Sequence, residues 1–240
     1  GDATPQPCKA VMVPHAGWQF SGKLAADVLK RVRIPKRIIA IGPKHTPNGT
    51  DWAVAPHHNW LLPGQKVASD YSLAMKLAES IDGLEPDANA HQAEHGIEVE
   101  LPIIARLSPE TQVVGIAVSG GNLDRCAGFA EQLASVMREL DEPPMLLISS
   151  DMNHYANDEE TRRLDALALA ELDRLDEDAL FHTCRSNHIS MCGMIPAVIV
   201  LKTLKNLGSV HQSRQIGYAT SADRTGDTSK VVGYAGRIFQ

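Results

Sequence analysis

Short, nearly continuous apolar runs alternate along this chain with longer stretches whose apolar positions recur three and four residues apart. The first pattern reads as strands, the second as amphipathic helices. Lys9 to Pro14, Arg37 to Pro43, Trp52 to Pro56, Gln112 to Val118 and Met145 to Ser150 are the strand-like runs. RIIAIGP has no polar alternation, the mark of a strand covered on both faces. Gly22 to Arg33 reads as a helix with Leu24, Ala25, Val28, Leu29 and Val32 on one face. Ser69 is the expected N-cap of a helix running to about Ser80. Further helices are predicted over Leu123 to Leu140, Glu159 to Leu175 and Asp176 to Cys184. The last spans Pro196 to Asn206, with Pro196 in its first turn and Gly208 ending it. Two final strands, Arg214 to Thr220 and Lys230 to Phe239, are expected to pair antiparallel. Strands alternating with helices predict a single α/β domain over residues 1–240, with a mostly parallel central sheet flanked by helices. Residues 1 to about 8 read as an N-terminal tail. The chain begins Gly1-Asp2-Ala3, so its natural start is left open.

Composition narrows the function. The chain has 240 residues, 43% hydrophobic and 22% charged, with a net charge of −6. That is enough apolar material for a sizeable core. The acidic balance argues against a nucleic-acid partner. No apolar run approaches the roughly 20 residues needed to cross a bilayer. Cys8, Cys126, Cys184 and Cys192 form no CxxC pair. They read as reduced thiols of a cytoplasmic protein.

In open α/β sheets ligands sit at the carboxyl ends of the strands. Three predicted strands run there into reactive side chains: KAVMVP into His15, RIIAIGP into Lys44 and His45, and MLLISS into Asp151 and His154. Two histidines on a rigid scaffold suit a borderline metal ion. Each histidine read singly is equally an incidental loop residue. Cys192, just before the last helix, is either a thiolate favoured by the helix N-terminus or a small core residue. Glu94 and His95 form either a loop acid–imidazole pair or a capping loop ahead of Ile97–Leu101. Asp151 and His154 read as orienting partner and base. A Ser–His–Asp hydrolase is the competitor, but there is no GxSxG elbow. Neither GxGxxG nor GxxxxGK[ST] occurs.

The motifs PHAGWQFSG, GPKHTPNG, EHGIEVELP, SSDMNHY, CGMIPAVIVL and YATSADRTGDTSKVVGYAG follow one another in this order. From about Lys9 to the C-terminus the chain thereby resembles the MEMO family, also called AmmeMemoRadiSam system protein B. That family is similar in fold to the class III extradiol dioxygenases, the LigB-like fold, whose Fe(II) is held by two His and a carboxylate. The resemblance implies a metal held by His15, His45 and Cys192 and a pocket lined by Asp151 and His154, which an oxidoreductase would use as its catalytic residues. It implies a pocket walled by Glu94, His95 and Trp18. Trp18 replaces the more usual Tyr after PHAG, Glu100 stands where some members have His, and an N-terminal PAVAGxFYP-like stretch is lacking.

A thiolate ligand is soft, so Fe(II) is the first expectation, with Cu(I) or Zn(II) as alternatives. The expected function is a dioxygenase-like, iron- or copper-dependent oxidoreductase acting on a small-molecule substrate. The alternative is a non-catalytic module binding a ligand, peptide or metal on a repurposed dioxygenase fold. A zinc hydrolase with Glu94 or His154 as base is a third reading. A radical enzyme partner is implied by the family's system name alone.

Overall fold

The computed structural model describes residues 4–240. Ten strands are seen among them: β1 (Ala10–Val13), β2 (Arg37–Pro43), β3 (Trp52–Val54), β4 (Asn59–Leu62), β5 (Gln65–Ala68), β6 (Glu85–Pro86), β7 (Gln112–Val118), β8 (Met145–Ser149), β9 (Ser213–Thr220) and β10 (Gly233–Phe239). The helices are α1 (Lys23–Leu29), α2 (Tyr71–Ser80), α3 (His95–Glu98), α4 (Leu101–Leu107), α5 (Leu123–Arg138), α6 (Asp158–Asp173), α7 (Glu177–Ser186), α8 (Met194–Asn206) and α9 (Ala222–Thr225).

Eight strands form one sheet in the order β6-β3-β7-β2-β8-β1-β10-β9. The four central strands β7, β2, β8 and β1 are parallel. The antiparallel pairs lie on the flanks, β3 on β7 and β10 on β1. β9 and β10 pair antiparallel, as expected. β4 and β5 form a separate hairpin.

Alternate residues of the central strands feed two cores, because successive side chains of a strand point to opposite faces. Met12, Ile39, Ile41, Val114, Ile116, Leu146 and Ile148 meet α2, α5, α6, α7 and α8 on one face. Val11, Val13, Ile38, Ala40, Val113 and Leu147 meet α1, α4 and the hairpin on the other. The apolar run of β2 is thus explained: every residue after Arg37 is buried. All side chains of α8 from Met194 to Leu201 are buried, so it is a core helix and not an amphipathic one.

Local details differ from expectation. α2 is capped by Asp70, whose carboxylate accepts the Leu73 N–H at 2.9 Å, and not by Ser69, whose buried hydroxyl has no partner. The helix expected from Gly22 opens as a π-helical turn, Trp18–Gly22, and its α part ends at Leu29. The expected tail falls partly on residues 1–3, outside the described residues. From Gln6 onward the chain is tied down: the Gln6 N–H donates to Arg31 at 3.0 Å, and the Lys9 N–H to Phe239 at 2.9 Å. Among the described residues no helix is long and apolar enough to cross a membrane.

Candidate metal centre

β1, β8 and β2 are neighbours and parallel, so His15, Asp151 and His45 follow strands that end side by side. A fourth element enters from the loop before α3. Ala93, at φ 67°, turns the chain so that Glu94 is buried and His95 faces solvent. His15, His45 and His95 then offer ligand atoms all within 4.8 Å of one another, a group that could hold a metal ion. The His45 and His95 rings stack at 4.6 Å between centroids, and His15 meets each edge-on at 5.2 and 5.4 Å.

The hydrogen bonds settle which nitrogens are free. Ser149 Oγ donates to the Gly96 carbonyl, so it accepts from His15 Nδ1–H at 2.7 Å. His45 Nδ1–H donates to Glu94 Oε1 at 2.7 Å. In both rings Nδ1 is engaged, so Nε2 is the nitrogen that could meet a metal. Glu94 also accepts the His45 N–H at 2.5 Å and the Gly96 N–H at 2.9 Å. Burial works against its charge, but the bond from His45 Nδ1 and the backbone bonds outweigh it and hold the carboxyl at about 2. Both readings of the Glu94 loop thus have a part: the residue caps α3 and orients an imidazole. The imidazole it orients is His45. His95 Nδ1 is looser, at 3.8 Å from Glu94 Oε1.

Burial, with His45 and His95 beside it, pushes the His15 imidazole down to about 3, so it is neutral at ordinary pH. Cys192 Sγ lies 3.3 Å from His15 Nε2 and 3.2 Å from the Asp151 N–H. The helix N-terminus was expected to favour thiolate here. Burial, with Asp151 nearby, instead pushes the thiol up to about 12. Asp151 accepts the His15 N–H at 2.9 Å and the Ala16 N–H at 3.3 Å, and burial raises its carboxyl to about 7.

Asp151 does not orient His154. The chain after β8 is not helical, so a spacing of three residues does not bring the two side chains together. Ser190 takes that role: its hydroxyl accepts the His154 N–H at 2.8 Å, and its carbonyl accepts His154 Nδ1–H at 2.9 Å. His154 Nε2 is therefore the basic atom. Asn153 Oδ1 accepts the Ser190 hydroxyl, and Asp165 accepts the Asn153 N–H and the Tyr218 hydroxyl. Trp18, 57% exposed, donates its indole N–H to the Val99 carbonyl at 3.0 Å. His91 and His95 share no helix face. His91 lies in the preceding turn, bonded through Nε2 to the Ala53 carbonyl at 3.2 Å.

Ser190 and Asp165 lie outside the motifs and carried no signal in the sequence, and Asn153 and Tyr218 lie inside SSDMNHY and YATSADRTGDTSKVVGYAG without being singled out there. His95 was read as a pocket wall, and its place beside His15 and His45 comes from the turn at Ala93.

A histidine-lined crevice at adjacent parallel strand ends, able to hold a cation, defines the class: an α/β protein with a candidate metal centre. The chain belongs to the Memo-like family, whose sequence model, described as "Memo-like protein", matches residues 2–238. It is 36% identical over 232 residues to a MEMO1 family protein of Aquifex aeolicus, covering 96% of this chain and 85% of that protein. It is 32% identical over 233 residues to a MEMO1 family protein of Methanobrevibacter smithii, covering 96% and 82%. Its fold is similar to that of the uncharacterized protein JW3007 from Escherichia coli K12, with a TM-score of 0.62, 14% identity, and coverage of 95% of this chain and 98% of that one.

Proposed function

We propose that this protein is a metal-dependent oxidoreductase of the LigB-like, extradiol-dioxygenase kind, acting on a small organic molecule and using Fe(II), with Cu(I) or Zn(II) as competitors. The observation that carries the reading is the pair of imidazoles, His15 and His45, each locked by a hydrogen bond at Nδ1. A serine and a carboxylate behind metal-ligating histidines are the usual outer partners of such centres.

The donor set fits a borderline cation. His15 Nε2 and Cys192 Sγ lie 3.3 Å apart, so an imidazole nitrogen and a thiol sulfur would be on hand together for one borderline cation. We assign His15, His45 and Cys192 as ligands and His95 as a further donor on the same side. Bound Fe(II) or Cu(I) would supply redox chemistry with O₂. The protein's own groups do the rest. His154 Nε2 takes a proton from a substrate hydroxyl, while Ser190 holds its ring. Asp151 pins the His15 backbone. We assign Trp18, exposed at the surface, to the pocket wall.

Elemental analysis of protein purified without oxygen tests the reading. About one iron or copper per chain is expected, lost in Cys192→Ser and retained in His95→Ala. Loss in His95→Ala alone reassigns the third ligand to His95. Absence of metal in every sample after reconstitution, with no oxygen consumption, leaves a ligand-binding module on a dioxygenase-like scaffold.

A further inference from the structure

We propose that the cavity beside the histidine cluster binds the oxyanion of a small organic substrate, a carboxylate or a phosphate ester, through Lys44 and Arg185. The inference rests on the metal-centre reading only in calling the bound molecule a substrate.

The cavity has a volume of about 320 Å³ and opens between the ends of β2 and β7 and the loop joining α7 to α8. His45 and Cys192 form part of its wall, so a molecule lodged there reaches the metal centre. Ligand pockets run from about 300 to 1,000 Å³. This one suits a small molecule and not a polypeptide.

Its charge is one-sided. Lys44 and Arg185 both line it, and no Asp or Glu does. Among the described residues neither cation makes an ion pair. Lys44 Nζ donates to the Thr46 carbonyl at 2.8 Å, which leaves two of its N–H groups unspent. The Arg185 guanidinium carbon lies 5.4 Å from the centre of the Phe181 ring, with its N–H fork unpaired. Other cations of the chain, among them Arg162, Arg174, Lys202 and Arg237, meet carboxylates, whereas among the described residues no carboxylate is within reach of Lys44 or Arg185. Two unneutralised cations in one concave site focus a positive potential on whatever enters.

The start of α8 adds to it. Met194 and Ile195 line the same cavity, and no side chain caps that helix end and no acid lies in its first turn. The Met194 N–H donates to the Met191 carbonyl at 3.3 Å and Pro196 has no N–H, so the Ile195 N–H is the donor that this positive end of the helix dipole offers. Ile189, Met191 and Ile195 supply an apolar wall for the rest of the molecule. A planar carboxylate or a phosphate matches the guanidinium fork, with Lys44 as a second point charge.

The test is a titration of metal-free protein with benzoate, phenyl phosphate and the neutral benzamide, followed by protein-observed NMR. Working without metal keeps direct coordination of the anion out of the result. At least one anion is expected to bind, shifting resonances around the α7–α8 loop, and benzamide to bind about tenfold more weakly or not at all. Arg185→Gln and Lys44→Gln are each expected to weaken that anion about tenfold, the least that loss of one charge-assisted contact implies. Arg185 is exposed, so its variant keeps the fold, and its metal content should equal that of wild type. Binding of benzoate alone identifies a carboxylate, and of phenyl phosphate alone a phosphate ester. Equal binding of benzamide, no binding by any probe, or anion binding that survives in the double variant overturns the proposal. Anion binding that needs both cations in a protein that takes up no metal overturns the metal-centre reading and leaves this one standing.

Discussion

Glu94 sits where three donors converge: His45 Nδ1, the His45 N–H and the Gly96 N–H. Its charge holds the His45 ring in one orientation. Glu94→Gln keeps the shape, removes the charge, and turns an NH₂ group toward at least one donor. We expect it to weaken metal binding by about 10–100-fold, measured by competition with a chelator of known affinity, while the thermal midpoint of the metal-free protein falls modestly. An unchanged affinity would show that His45 does not ligate through the nitrogen opposite Glu94. Glu100 poses the opposite problem. It is fully buried and neither carboxylate oxygen has a partner. Burial, with Asp151 nearby, raises its pKa well above 4.5. A folded-state pKa above the unfolded one gives stability that is present below pH 4.5 and lost as the pH rises toward the folded value. The loss is about 1.4 kcal/mol for each pH unit between the two. Glu100→Gln cannot ionise. In chelator-treated protein it should therefore match wild type near pH 4 and be more stable at pH 7 to 8, as read from denaturant midpoints. A gap that does not change with pH would sink this account.

Contact between α8 and β8 is as close as glycine allows. A methyl group on Gly193 would meet Ser150 Cβ at 2.3 Å and the Ser149 carbonyl at 2.6 Å, and neither is a flexible end. Gly193→Ala must push the start of α8 off the end of β8, breaking the Gly193 N–H bond to Ser150 Oγ and shifting Cys192. We expect a loss of about 1–3 kcal/mol in stability and a larger proportional loss of metal. Gly128→Ala is the control. It lies exposed inside α5 with nothing near its added methyl, and should stabilise the protein by up to about 1 kcal/mol. Elements like these were legible in the sequence wherever burial alone shaped them. Arg37–Pro43 and Gln112–Val118 match their predicted runs end to end, because a strand covered on both faces shows as an unbroken apolar run. The β4–β5 hairpin was not legible. Its strands are half-exposed, and Trp60 is its anchor, lying on Gly115 of β7 and donating to Val113. The site was legible where strands delivered it, at His15 and His45. It was illegible where a turn did, as with His95 after Ala93 at φ 67° and His154, which the Ser190 loop captures and Asp151 does not.

Across the whole molecule, the proposed metal centre would link metal uptake, proton release and folding in one equilibrium. The site in its metal-free form is already neutral at His15, held down at about 3, and His95 is lowered as well. Neither imidazole needs to lose a proton near pH 7 before it ligates. Cys192 does, because its thiol is held up at about 12 and only the thiolate binds metal. The two candidate ligand sets therefore differ in a quantity that needs no structure of the loaded protein. If Cys192 ligates, each metal ion bound releases about one proton from the thiol, and the apparent affinity rises about tenfold per pH unit across the neutral range. Potentiometric titration in weakly buffered, oxygen-free solution reads the proton directly, and chelator competition from pH 6 to 8 reads the slope. In Cys192→Ser both the released proton and the slope should collapse. A wild-type protein that binds metal with a flat pH profile would exclude the Cys192 thiolate as a ligand. Cys192 would then be a thiol that donates its hydrogen bond to His15 Nε2 only until the metal arrives.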